Sequence, residues 1–96
     1  MSTPLLLWKS QFLHVTDESI ILADAFTAAM DVMRKAGLQN VKLNVSDVSG
    51  NTFDSTAAIN CVQIGNRFLA IIMVAGNDAA SVIQNLSSRL NQIKWL

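Results

Sequence analysis

From Thr16 onward, apolar residues recur at helical spacing. Leu22, Ala25, Phe26, Ala29, Met33 and Ala36 share one stripe, and Asp24, Thr27, Asp31, Arg34 and Lys35 lie opposite. The pattern predicts an amphipathic helix capped by Thr16 or Asp17, with Asp17 and Glu18 at its positive start and Arg34 and Lys35 at its negative end. Gly37 followed by Leu38 predicts a left-handed C-cap with its hydrophobic contact. The period then shortens. In "NVKLNVSDV", Val41, Leu43 and Val45 alternate with Lys42, Asn44 and Ser46, which predicts a half-buried strand ended by a turn at Ser49-Gly50-Asn51.

Two further strands, about 56–64 and 67–75, are joined by Gly65-Asn66, a two-residue hairpin signal. The second contains eight consecutive apolar residues, Phe68 to Ala75, between Arg67 and Gly76. A strand with one face in water would alternate, so both faces of this one call for a cover. Asn77 or Asp78 caps a last helix whose stripe is Ala79, Val82, Ile83, Leu86, Leu90 and Ile93. Near the start, Leu5, Trp8 and Phe12 have helical spacing, but "QFLHV" favours a strand near Phe12 to Val15. The resulting fold class is α+β: a two-layer sandwich, β-α-β-β-β-α, with two helices on one face of a mainly antiparallel sheet.

The hairpin fixes a register. With a two-residue loop, Ile64 pairs with Arg67, Val62 with Leu69, Asn60 with Ile71 and Ala58 with Met73 on one face. The other face pairs Gln63 with Phe68, Cys61 with Ala70, Ile59 with Ile72 and Ala57 with Val74. That second face mixes large residues with Ala and Cys, leaving room for helices to approach. The first face, Val62, Ile64, Leu69, Ile71 and Met73 with Asn60 and Arg67 as polar neighbours, is then left for self-association as a homodimer. The alternative is a small-ligand pocket around Trp8, Phe12 and His14, with the N-terminal segment as a lid.

Ninety-six residues make a single domain, 1–96. The chain is 51% hydrophobic and 15% charged, which opposes disorder. Seven basic and seven acidic residues cancel, so no field gathers phosphates or anionic lipid, and no nucleic-acid partner is expected. No apolar run approaches the ~20 residues of a membrane span, and no membrane partner is expected. The short run Leu5 to Trp8 is not a signal peptide, which reads as cytoplasmic, or as exported if Met1 replaces a removed leader.

Candidate chemistry is sparse. Cys61 and His14 are the conventional nucleophile and base, but a cysteine within a strand behaves as a small core residue, and no orienting third group accompanies them. One Cys and one His fall short of a zinc site. Asp47 and Asp54 flank Ser49-Gly50-Asn51 without calcium-loop spacing. "VAGNDAAS" sets a helix start after a strand, where a phosphate can rest, but it lacks a nucleotide loop's glycines, and Asp78 repels anions. Met30 and Met33 are core filling, and the sequons at Asn44 and Asn85 are short enough to arise by chance. The reading has no catalytic residues, cofactor or metal, and favours a non-enzymatic interaction protein.

The stretches "AAINCVQIGNRFLAIIMVAGNDAASVIQNLSSRL" and "ADAFTAAMDVMRKAGL" resemble those of small bacterial α+β proteins of unknown function. The shared features are packing motifs, so the resemblance implies a fold and no activity.

Overall fold

The computed structural model describes residues 5–15 and 19–93. Among them, the chain runs β1 (Leu5–Phe12), α1 (Leu22–Lys35), β2 (Gln39–Leu43), β3 (Asp47–Asn51), β4 (Ser55–Ile64), β5 (Arg67–Gly76) and α2 (Ala79–Asn91). The strands form one sheet in the order β1-β5-β4-β3-β2, with every neighbouring pair antiparallel. Both helices pack on the same face, α1 over β2, β3 and β4 and α2 over β1 and β5. This is the two-layer α+β sandwich that the residue pattern predicts.

The β4–β5 register is the one derived from the Gly65-Asn66 link, from Ile64 opposite Arg67 to Ala57 opposite Val74. Gly65 has φ +63, while Asn40 is the one non-glycine with positive φ among the described residues. That leaves Asn66 in the ordinary region, the pattern of a type II′ hairpin turn. The face carrying Ala57, Ile59, Cys61, Phe68, Ala70, Ile72 and Val74 is buried beneath the helices. From the helices, Ala25, Ala29, Val32 and Met33 and then Ala79, Val82, Leu86 and Leu90 complete the core. Small residues in the sheet's central rows let the two helix backbones approach.

Local details differ from the sequence reading. The first strand lies earlier than Phe12–Val15, because β1 pairs with β5 from Leu5 opposite Gly76 to Phe12 opposite Leu69. Only Leu13 N–H, donating to the Phe68 carbonyl at 2.8 Å, continues the ladder. The expected caps Thr16 and Asp17 lie outside the described residues. The helix itself begins at Leu22, and Asp24 accepts a hydrogen bond from the Ile21 N–H at 2.9 Å. At the other end, Gly37 N–H donates to Arg34 O and Leu38 N–H to Met33 O, a Schellman closure with Leu38 buried, as Gly37-Leu38 predicts.

The stretch 40–48 is not one strand. It folds back at Asn44, whose N–H donates to the Asp47 carbonyl at 2.8 Å, and Val45 sits fully exposed instead of facing inward. Ser49-Gly50-Asn51 then runs within β3 instead of ending a strand. Gly50 faces α1 there. A Cβ on it would come 3.2 Å from Met33 Sδ and 3.2 Å from Val41 Cγ2, so the glycine makes room for a helix and not for a turn.

Candidate functional site

Three strands set the geometry of the uncovered sheet face. Since alternate residues point to opposite faces, the register places side chains in cross-strand rows. Trp8, Met73 and Ala58 form one row, Ser10, Ile71 and Asn60 the next, and Phe12, Leu69 and Val62 the third. Ile64 and Arg67 follow at the hairpin end. Leu6 with Ala75 and Thr56 closes the opposite end.

The seven residues singled out from the hairpin therefore share one face. Val62, Ile64 and Met73 keep 39%, 50% and 39% of their surface, while Leu69, Ile71 and Asn60 are half-buried by their neighbours. β1 adds to this surface in a way the sequence reading did not anticipate. Trp8, 70% exposed, and Leu6, 71% exposed, project from the same face. They reach this face through the pairing of β1 with β5, and nothing local in "LLLWKSQF" sets that register.

Trp8 and Phe12 are thus part of the sheet, not a lid above it. Phe12 carries the Arg67 guanidinium 3.7 Å over its ring, a cation–π contact at the edge of the apolar area. His14 lies beyond the end of β1 and is exposed. Concave surface lies elsewhere on the molecule. One hollow, about 540 Å³, opens at the β3–β4 turn and is lined by polar groups including Asn40, Lys42, Asn51 and Thr56, with the fully exposed Phe53 beside it. Another, about 330 Å³, lies between the helices near Asp31, Lys35 and Arg89.

The sheet's edges are poor docking points. β1 aims Lys9 toward the helix side of its row, and β2 is five residues long with an irregular register and Asn40 at φ +56. An inward-pointing charge and a short, irregular strand both hinder a neighbouring chain from adding its own strand. What remains open is the broad face.

Other candidate groups have structural partners. Cys61 lies in the buried row with Ala70, and desolvation pushes its thiol up to about 11, away from the nucleophilic thiolate. Asp47 accepts from Asn44 Nδ2 at 2.6 Å, and among the described residues no group of three or more His, Cys, Asp or Glu gathers to hold a metal ion. Asp78 sits in the N-cap position of α2 but makes no side-chain cap, contrary to the capping expectation. Its carboxylate instead accepts from the hydroxyls of Thr52, at 3.1 Å, and Ser55. Thr52 Oγ1 in turn accepts from the Ser55 N–H at 2.9 Å. This clamp ties the β3–β4 turn to the start of α2 across 23 positions, a tertiary contact with no signal in the sequence.

Fold and surface together define a small α+β sandwich with one apolar sheet face that none of the described residues covers. No protein-family model, curated protein or solved structure matches the chain. The packing-motif resemblance gains no support from these comparisons. No helix among the described residues is long and apolar enough to cross a membrane.

Proposed function

We propose that this chain is a non-enzymatic interaction protein that associates with a second copy of itself through the uncovered face of its sheet. The observation that carries the reading is the run of outward-facing apolar side chains across β1, β5 and β4, from Leu6 and Trp8 to Val62 and Ile64. Fully burying a large apolar side chain gains about 1.5–3 kcal/mol, and association costs about 4–15 kcal/mol. Trp8, Leu6 and Ile64, each half or more exposed, still have half or more of that gain available. The neutral net charge supplies no long-range repulsion between copies. Nothing in the folding of a chain with one buried cysteine requires an oxidising compartment, which suits a cytoplasmic protein.

Sedimentation equilibrium tests the reading. The wild type is expected as a dimer, and Ile71→Lys, which sets a charge at the centre of the face and leaves the helix side intact, as a folded monomer. A wild type that is monomeric up to high micromolar concentration would overturn it.

A further inference from the structure

Resting on the reading of this face as a self-association surface, we propose that the two copies are related by a two-fold axis running along β5. That axis seats Trp8 of each copy over Ala58 of the other.

The apolar surface stops at β3. β5 is flanked by β1 and β4, and β4 by β3. By its register with Asn60, Ala58 and Thr56, β3 turns Asp47, Ser49 and Asn51 to the open side. An axis lying in the interface along β5 carries the position of β1 onto that of β4. It covers those three strands and leaves β3 and β2 in water. Strands spaced ~4.8 Å apart, eight residues long in β1 and ten in β4 and β5, at ~3.4 Å per residue, project roughly 460 Å² per copy. The pair then buries about 900 Å² before the relief of Trp8 and Leu6 is added, close to the ~1,000 Å² a specific interface has to clear.

The shapes of the facing rows also match. A two-fold along the strands preserves height along them, so each row of one copy meets the same row of the other. Trp8, the largest and among the most exposed side chains of the face, then meets Ala58, the smallest member of its row. Ser10 meets Asn60, polar on polar, and Phe12 meets Val62. Aligned sheets cross at about 30°, which displaces facing positions one strand away by roughly 2.4 Å, well inside the ~6.8 Å between rows.

Charge disfavours the competing axis. A two-fold across the strands at Ile71 lays every strand over its own copy, including polar β3. Asp47 is in register with Asn60 and hence with Ile71, so the two copies of Asp47 would meet at that axis as like charges. On the axis along β5 the self-facing charge is Arg67, at the hairpin end, where its guanidinium leans 3.7 Å over Phe12 of β1 and so away from the axis.

The test moves the knob. Ala58→Trp alone sets two indoles against each other, and Trp8→Ala alone empties the contact. Each is expected to raise the dimer Kd by about 30-fold or more, as loss of a buried aromatic anchor does. Combining Trp8→Ala with Ala58→Trp places the knob on β4 and the hole on β1, and the two-fold along β5 restores the dimer. Thermal unfolding at monomer concentrations reports folding of each variant. Ser10→Lys with Asn60→Asp repeats the logic with charge in place of shape, the pair associating more tightly at low salt than either single variant. A monomeric wild type overturns the self-association reading. A dimeric wild type whose double variants are no tighter than the singles overturns the axis alone.

Discussion

Gln11 of the edge strand and Ser87 of the closing helix, 76 positions apart, are joined by two hydrogen bonds. Ser87 Oγ donates to Gln11 Oε1 at 2.6 Å, and Gln11 Nε2 donates to the Ser87 carbonyl at 3.2 Å. Gln11 Nε2 also reaches Asn91 Oδ1 at 3.0 Å. β1 turns Leu5, Leu7, Lys9 and Gln11 to the helix side, and of the two leucines Leu7 packs against the core while Leu5 stays half exposed, so this polar link complements a thin apolar contact.

Replacing Gln11 by Leu removes both bonds and leaves the buried Ser87 hydroxyl without that partner. An unpaired buried polar group costs about 1–3 kcal/mol, which urea denaturation would read as a lower midpoint. Adding Ser87→Ala to Gln11→Leu should recover part of the loss. A double variant whose cost equals the sum of the two singles would mean the residues are not coupled.

Gly76 ends β5 at φ +151, where a Cβ would run into the Asp54 carbonyl and the Ser55 side chain. Gly76→Ala combines backbone strain with a clash against main chain, and is expected to cost at least ~3 kcal/mol. Asp78→Ala, which leaves the Thr52 and Ser55 hydroxyls without their acceptor, should cost less, about 1–3 kcal/mol. Melting temperatures of the three proteins should therefore fall in the order wild type, Asp78→Ala, Gly76→Ala.

Cys61 supplies a pH dependence with a defined sign. Burial pushes its thiol from an ordinary value near 9 up to about 11, so the folded state holds the proton more firmly than the unfolded state. The resulting stability is fully present below about pH 9 and is lost as pH rises through 11. Two pH units correspond to at most about 2–3 kcal/mol. Between pH 8 and 11 the wild type should lose more stability than Cys61→Ala, and a thiol reagent should label the native protein slowly and the unfolded protein fast. Parallel stability curves for the two proteins would show that Cys61 contributes nothing.

Elements whose information is local were legible in the residues alone. The stripe from Leu22 to Ala36 could be satisfied only by a helix with one buried side, and Gly37-Leu38 carried its own stop. The two-residue link Gly65-Asn66 fixed every pair from Ile64–Arg67 to Ala57–Val74, because one turn of known length sets the register of both strands. Alternation then separated the small-residue face that accepts helices from the face that remains open. Tertiary structure decided the rest. Gly50 looks like a turn residue in sequence and is a strand residue beneath Met33, a distinction that exists only once α1 is in place. The capping role expected of Asp78 gave way to Thr52 and Ser55, brought to it by the pairing of β4 with β5. Trp8 joined the open face because β1 adds to β5 across 54 residues of intervening chain, 13–66, and a strand's register on a distant partner leaves no trace in its own residues.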